Sequence, residues 1–288
     1  MQGTRYIGGK IMSHNSKGLN EVLTKEYLIE EHYNKGKTIR QIAREHNCSH
    51  SNIRKHLKKN GLESQTQMKG HDRARVYSVN DDYFKVIDSD DKAYWFGLLY
   101  ADGYIQRKSG TNDKIRFLLT KKDKYLVEQL RDELGDMPVR TYTQKGTGHK
   151  SVFFDLFSQE MVDDLESKNM TAPKNERVGL PIIEDAFFYP FLLGLFDGDG
   201  SIVTSNNIPT VSILGHLELV GWVKSRLEND GFVFNGINIH NLGGIYRLSF
   251  SSQRNIPLFF KKMYVDISTP HLIRKRKTFE EYLSSMKI

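Results

Sequence analysis

Cysteine is nearly absent from this sequence, since Cys48 is the single one among 288 residues. One cysteine excludes an intramolecular disulfide framework and a cysteine-rich zinc site. Long apolar runs are missing as well, because no stretch reaches the roughly 18 residues that a membrane-spanning helix needs. The N-terminal segment MQGTRYIGGKIMSHNSKGLN also lacks the continuous apolar core of a secretory signal. These absences predict a protein of a reducing, intracellular compartment, with the cytoplasm as the default and no membrane partner.

Positive charge is what the sequence has in excess. It contains 42 lysine and arginine residues against 35 aspartate and glutamate residues, with a formal net charge of +7 and a pI near 9.2. This balance favours a polyanionic partner, although many basic proteins bind no nucleic acid. The length predicts about two domains.

Residues 24–61 contain three helical patterns, which follow a Gly-, Ser-, Asn- and Lys-rich segment (1–23) that we interpret as a flexible basic arm. The helices TKEYLIEEHYN, TIRQIAREH and SHSNIRKHLKK are predicted to begin at the N-caps Thr24, Thr38 and Ser49. Only a short turn separates the last two, and Asn47 stands where a left-handed residue is needed. This arrangement resembles a helix-turn-helix DNA reader.

The outward face of the third helix would then enter the DNA major groove. Its candidate base and phosphate contacts are His50, Ser51, Asn52, Arg54, Lys55 and Lys58. A solvated, charged face on a small helical bundle is the alternative. Residues 62–82 show no periodicity and are interpreted as a linker.

The remainder of the chain is an internal repeat. AYWFGLLYADGYI in the first copy corresponds to FYPFLLGLFDGDGSI in the second, which places Asp102 and Asp199 at equivalent positions. Each copy continues through a strand, an amphipathic helix, further strands and a helix, in the order helix, two strands, helix, two strands, helix. The strands alternate in polarity, as half-buried antiparallel strands do.

The segments WFGLLYADG (Trp95 to Gly103) and LLGLFDGDG (Leu192 to Gly200) resemble the two LAGLIDADG motifs of homing endonucleases. The resemblance covers roughly residues 83–285. It implies an α+β fold of two pseudo-symmetric αββαββα half-domains (83–180 and 181–288), preceded by the small all-α helix-turn-helix domain. A chain carrying both halves is expected to work as a monomer, an internal pseudo-dimer.

The residues themselves suggest why the motif suits phosphodiester hydrolysis. Helix interiors usually avoid glycine, so the recurrence of Gly97 and Gly194 predicts two helices that approach backbone to backbone. Their carboxyl ends would bring Asp102 and Asp199 together. A carboxylate at a helix C-terminus meets an unfavourable dipole, which a bound cation would offset.

The resemblance implies further roles in this site. It implies metal ligation by Asp102 with the carbonyl of Ala101, and by Asp199 with the carbonyl of Gly198, for Mg²⁺ or, as a substitute, Mn²⁺. It also implies a basic residue near each metal, ahead of the last helix of each half. Lys174 is the candidate in the first copy. The candidates in the second copy are His271, Arg274, Lys275 and Lys277, of which we select Lys275.

The strands of each half are expected to lie along the DNA major groove, which accepts a two-stranded ribbon. Side chains suited to base or phosphate contact on these strands and their loops are Gln106, Arg107, Lys114, Arg116, Arg140, Gln144, Asn206, Asn238, His240 and Arg247. Because the two copies differ widely in sequence, the predicted target is long and asymmetric.

Three functions are consistent with these observations. The first is a homing-type, metal-dependent endonuclease of double-stranded DNA, located in an intracellular compartment that contains DNA. The second is a DNA-binding regulator that uses the same fold without cleavage, and the third is an intron RNA maturase. Retention of both aspartates favours cleavage over regulation, and the helix-turn-helix pattern favours duplex DNA over structured RNA.

Overall fold

The chain forms two compact units, Met1–Tyr77 and Ser78–Ile288, in a computed structural model. The structure describes residues 19, 21–35, 37, 39–62, 77–107, 113–172, 174, 179–205, 208–265 and 268–286. Two residues singled out in the sequence, Thr38 and Asn206, lie outside these ranges. Within them, no helix has the length and apolar character needed to cross a membrane.

The first unit is helical where it is described. Its helices are α1 (Lys25–Leu28), α2 (Ile39–Glu45) and α3 (His50–Lys59). The hydroxyls of Thr24 and Ser49 accept hydrogen bonds from the main chain of the following turn and so begin α1 and α3. Asn47 has a φ of 46°, as the short turn before α3 requires. Apolar side chains of all three helices form a core of their own, which includes Leu28, Ile42, Ala43, Ile53 and Leu57.

The first helix of this unit differs from the regular helix that we predicted. After Leu28 the chain continues as a wider, π-helical segment, Ile29–Asn34. The wider turn carries Glu31 inward, where it pairs with Lys35 at 2.9 Å and with Lys37 at 2.6 Å. Polar groups on this side of the segment therefore gain ionic partners that a periodicity argument does not anticipate.

The second unit has the predicted α+β architecture of two αββαββα halves. The first half contains α4 (Asp90–Asp102), β1 (Gly103–Gln106), β2 (Lys114–Thr120), α5 (Lys124–Leu134), β3 (Arg140–Thr143), β4 (Lys150–Phe157) and α6 (Gln159–Ser167). The second half contains α7 (Phe188–Asp199), β5 (Gly200–Ser205), β6 (Ile208–Gly215), α8 (Leu217–Asn229), β7 (Ile239–Asn241), β8 (Tyr246–Phe250) and α9 (Asn255–Met263), and is followed by α10 (Ile273–Ser285).

The two sheets have the same topology. Their antiparallel strand orders are β1-β2-β4-β3 and β5-β6-β8-β7. The motif glycines begin the first strand of each sheet, with Gly103 opposite Phe117 and Gly200 opposite Ile213. Alternate residues of β2 and β6 are buried, which leaves one face of each sheet for solvent or a ligand.

One feature of the expected symmetry is wrong. We expected a basic residue ahead of a last helix in each half. Helix α10 supplies that helix in the second half, whereas Lys174 follows α6, and the next described helices are a short turn (Asp185–Phe187) and α7 of the second half. Among the described residues of the first half, no counterpart of α10 follows Lys174.

A single hydrophobic core spans both halves. It contains buried residues from Tyr83 through Tyr282, and α4 and α7 lie at its centre. These two helices bury side chains on all sides, including Tyr94, Trp95, Phe191 and Phe196. A helix that is apolar all round is stable only when it is fully enclosed, so the motif helices serve both halves as shared core.

Candidate functional site

The predicted close approach of the two motif helices is present. A Cβ placed on Gly97 would lie 2.0 Å from the carbonyl oxygen of Phe191, and one placed on Gly194 would lie 2.0 Å from that of Tyr94. Any side chain larger than hydrogen would overlap with the opposite backbone. The two glycines therefore set the spacing of α4 and α7 and bring the carboxyl ends of these helices side by side.

Asp102 and Asp199 end the two helices next to each other. A Cβ placed on Gly198 would lie 3.1 Å from Asp102 Oδ2, which shows how near the first aspartate is to the second motif. Although Asp102 reaches the surface, the surrounding protein displaces water and, together with the negative charge of Asp199, raises the pKa of Asp102 to about 6. The site therefore concentrates negative charge that a cation would stabilise.

Lys174 joins the two motifs in the structure. Its ammonium donates to Asp199 Oδ1 at 2.8 Å and Oδ2 at 2.6 Å, and also to the carbonyl oxygen of Ala101. A cationic group is thus held between a carbonyl of the first motif and the carboxylate of the second. The sequence placed Lys174 near a metal but did not predict that its contact would cross to the opposite half.

Lys275 is placed differently from Lys174. Its side chain is buried, and its ammonium donates to the carbonyl oxygens of Asp197 at 2.9 Å and Gly200 at 2.7 Å, and to that of Phe196. Burial lowers the pKa of Lys275 to about 8. This lysine therefore caps the carboxyl end of α7, where a cation compensates the helix dipole and unpaired carbonyls.

Asp197 is a buried acid of the second motif, at the position that Tyr100 occupies in the first. Its Oδ2 accepts from the Tyr94 hydroxyl at 3.0 Å and from the Leu272 amide at 2.7 Å. Burial raises the pKa of Asp197 to about 6. Because this pKa lies above its unfolded value, protonation favours the folded state. That contribution is full below about pH 4 and is lost as the pH rises through 6.

The oxygen donors at the motif ends fit a hard divalent cation. The candidates are the carboxylates of Asp102 and Asp199 and the main-chain carbonyls of Ala101 and Gly198. No cluster of three or more His, Cys, Asp or Glu side chains able to hold a metal occurs among the described residues. Mg²⁺ accepts such a small donor set because it keeps several waters and binds substrate phosphate. The Lys174 ammonium, between Ala101 and Asp199, stands in for such a cation.

A cavity of about 380 Å³ opens beside Asp199. Its lining includes Tyr100, Lys174 and His216 together with apolar residues of β6, of α8 and of the β7–β8 turn. His216 also begins α8, since its Nδ1 accepts from the Leu219 amide at 3.3 Å. His216 is not among the residues predicted from the sequence, where its position directly before an amphipathic helix is the one feature that marks it.

The predicted DNA contacts of the first sheet fall into two groups. Arg107 donates to three carboxylates, those of Asp113, Asp163 and Glu166, and so ties the end of β1 to α6. Gln106, Lys114, Arg116 and Arg140 lie on the strands of the face opposite the core, and Gln144 lies in the turn after β3. Arg107 therefore links parts of the protein to one another, whereas Gln106, Lys114, Arg116, Arg140 and Gln144 lie where a ligand on the sheet surface can reach them.

The remaining predicted contacts, apart from the undescribed Asn206, lie at or near the surface of their own units. His240 and Arg247 are exposed and face each other across β7 and β8, whereas Asn238 donates its side-chain amide to the carbonyl of Ser249 at 3.3 Å. Of the predicted contacts on α3, His50, Ser51, Arg54, Lys55 and Lys58 are exposed and Asn52 is half-buried. This face of α3 is opposite Ile53 and Leu57, which enter the core.

The pair of αββαββα halves around two glycine-packed helices is the architecture that the resemblance to LAGLIDADG motifs predicted. No family model matches the chain, and a search of curated proteins gave no match. The solved structures that resemble it include the LAGLIDADG meganuclease I-AabMI bound to uncleaved DNA, with 11% identity, a TM-score of 0.44, and coverage of 67% of this chain and 88% of that one. I-SmaMI bound to uncleaved DNA with calcium ions has 14% identity, a TM-score of 0.46, and coverage of 67% and 89%. Full-length DUF199/WhiA from Thermatoga maritima has 18% identity, a TM-score of 0.46, and coverage of 72% and 65%.

Proposed function

We propose that this protein is an endonuclease that cuts double-stranded DNA with divalent metal ions. The observation that supports the proposal is the meeting of Asp102 and Asp199 at the ends of α4 and α7, where Lys174 links Asp199 to the carbonyl of Ala101. One acidic motif end per half gives one candidate centre for each strand of a duplex. Because one chain contains both halves, a monomer suffices.

The chemistry assigns a role to each of these groups. A bound Mg²⁺ would neutralise the scissile phosphate and lower the pKa of a bound water. Asp102 and Asp199, with the carbonyls of Ala101 and Gly198, would hold the metal. The Lys174 ammonium would then be released from Asp199 and could stabilise the negative charge that develops on the phosphate.

The N-terminal unit is proposed to add a second DNA contact. Helix α3 carries six exposed polar or basic side chains, begins at the Ser49 cap and follows the left-handed turn at Asn47. In a helix-turn-helix reader, the helix after the short turn presents such side chains to the major groove. A long composite target would then be read partly by α3 and partly by the two sheets.

The test uses Asp102→Asn and Asp199→Asn, each assayed on supercoiled plasmid carrying a target selected from a random library. We expect each variant to lose cutting of at least one strand, with nicked plasmid as the product, while its affinity for the target stays near that of the unmodified protein. Asp185→Asn is the matched control, because its side chain is 84% exposed, pairs only with Arg226 among the described residues, and precedes α7 at the opposite end of that helix from Asp199. Unchanged double-strand cutting by both motif variants would refute the assignment, and target binding without cutting by the unmodified protein would favour the regulator.

A further inference from the structure

The cross-strand layers next to the two motif ends differ in chemistry. In the first sheet, Tyr104 of β1 lies opposite Arg116 of β2, and Arg116 lies opposite Asp155 of β4. Tyr104 is two residues beyond Asp102, which is about 7 Å along an extended strand. This layer therefore begins at Tyr104, the first exposed residue of β1 after the motif, and lies close to the candidate site.

Arg116 is held in one orientation. Its Nε donates to Asp155 Oδ1 at 2.7 Å and its Nη2 to Oδ2 at 2.8 Å, while the centre of the guanidinium lies 4.7 Å from the ring centroid of Phe153. The ion pair also lowers the pKa of Asp155. A planar guanidinium bound along one edge still has the N–H groups of its outer edge available. The side chain of Arg116 is 38% exposed, and its outer edge is free to meet a ligand on the sheet face.

The arginine on the neighbouring strand end lacks this property. Arg107 uses Nε, Nη1 and Nη2 on Asp113, Asp163 and Glu166, so its donors point to protein carboxylates on several sides. Arg116 has a single carboxylate in hydrogen-bond contact. An oriented guanidinium with one free edge matches the O6 and N7 acceptors of guanine, the commonest specific contact in the major groove.

The second sheet has serines at the equivalent layer. Gly103 pairs with Phe117, and the equivalent Gly200 pairs with Ile213. Arg116 directly precedes Phe117 and Ser212 directly precedes Ile213, so Arg116 and Ser212 are equivalent. Ser212 lies opposite Ser201 of β5 and Ser249 of β8, and the Ser201 and Ser212 hydroxyls are 3.2 Å apart. A hydroxyl can pair with either base type. This layer therefore cannot impose a guanine.

We propose that Arg116, positioned by Asp155 and Phe153, reads a guanine in one half of the DNA target close to the cleaved bonds. The equivalent position in the other, pseudo-symmetric half of the target has no such requirement. The inference rests on the proposed function, since it takes duplex DNA as the ligand of the sheet surface. Arg116 is the specificity-determining residue, and Asp155 is a positioning residue that acts through it.

The experiment is a binding selection from a random duplex library with the full chain, in Ca²⁺ in place of Mg²⁺, followed by affinity measurements on the selected site and its single-base variants. Arg116→Lys keeps the charge but loses the planar fork, so it should reduce the preference for one guanine about tenfold to hundredfold. Asp155→Asn keeps the size but weakens the ion pair, and should reduce the same preference in part. Ser212→Ala is the matched control in the other sheet and should leave that guanine unaffected. Thermal melting of each variant checks that the fold is retained.

The outcomes separate this inference from the proposed function. If Arg116→Lys loses the preference for one guanine of the target and Ser212→Ala retains that preference, the assignment is supported. An unchanged preference in Arg116→Lys, or loss of the same guanine in Ser212→Ala, overturns the inference, and the proposed function is then judged by Mg²⁺-dependent cutting of the selected site. If the unmodified chain selects no DNA, both proposals fail.

Discussion

Replacing Gly194 with alanine should separate the motif helices. The new Cβ would lie 2.0 Å from the Tyr94 carbonyl oxygen and 2.6 Å from the Leu98 amide nitrogen, whereas ordinary contacts begin at 3.4 Å. Both neighbours are backbone of a buried helix, so α4 and α7 must move apart by about 1.4 Å, the difference between these distances. Overpacking of this kind costs about 1–3 kcal/mol or more, which exceeds the roughly 1 kcal/mol that alanine gains over glycine in a helix.

The same displacement should impair the site. A misplacement of about 1 Å lowers a catalytic rate by about 100-fold, and the Gly194→Ala change acts directly between the helices that carry Asp102 and Asp199. We expect cutting to fall by about this factor, while DNA affinity falls less, because the sheet surfaces are not altered.

The assay can follow the second unit alone. The two tryptophans of the chain are Trp95 on α4 and Trp222 on α8, so tryptophan fluorescence reports on this unit during thermal melting. For a unit of this size, 1 kcal/mol corresponds to about 2–4 °C in Tm. The overpacking cost less the propensity gain is up to about 2 kcal/mol, so Gly194→Ala should lower Tm by up to about 8 °C. Gly221→Ala is the control, since Gly221 lies within α8 with nothing within 4 Å of an added Cβ. It should raise Tm by up to about 4 °C. Equal Tm and equal cutting for Gly194→Ala and the unmodified chain would refute the close contact.

Three further predictions concern the capping lysine, the buried acid and the N-terminal helix. Lys275→Met removes the buried ammonium that donates to the carbonyls of Phe196, Asp197 and Gly200 and should lower the free energy of unfolding by about 2 kcal/mol. Lys277→Met, at a 71% exposed side chain of the same helix, should change it by less than about 0.5 kcal/mol in parallel denaturant titrations. The Asp197 pKa of about 6 predicts that the unmodified chain loses about 2–3 kcal/mol of folding stability as the pH rises from 4 to 6. Asp197→Asn should remove this loss, and an unaltered pH profile of Tm in the variant would contradict the prediction. The double variant Arg54→Ala and Lys58→Ala should reduce the slope of log affinity against log salt by about 2, and an unchanged slope would mean that α3 does not contact phosphates.

Most of the fold was predictable from the sequence because the relevant patterns were either local or repeated in both halves. Caps at Thr24 and Ser49 and the left-handed Asn47 depend on neighbouring residues only, and they lie where predicted. The close contact of Gly97 and Gly194 was predictable because both copies repeat the same costly residue at the same place in a helix. Duplication thus supplied the comparison that a single motif lacks.

The details of the site depend on contacts between distant segments, which no local pattern contains. Lys174 reaches the carboxylate of the other half, and Lys275 is buried against carbonyls of α7 although it lies in a strongly basic segment. The pairing of Arg116 with Asp155 follows from strand register, which the sequence did not fix. A side chain's spacing along the chain predicts which element it belongs to, but its partner is set by packing.

The buried acid at the helix pair also has an evolutionary consequence. Asp197 takes a hydrogen bond from the Tyr94 hydroxyl of the first half, and the repeat places Phe191, which has no hydroxyl, at the equivalent position of the second half. Two copies of the second half would therefore bury two carboxylates without this donor, and two copies of the first would place Tyr100 where each acid belongs. Each half therefore supplies a partner that the equivalent position of the other half lacks, and a recombined chain that keeps this contact must inherit Tyr94 and Asp197 together.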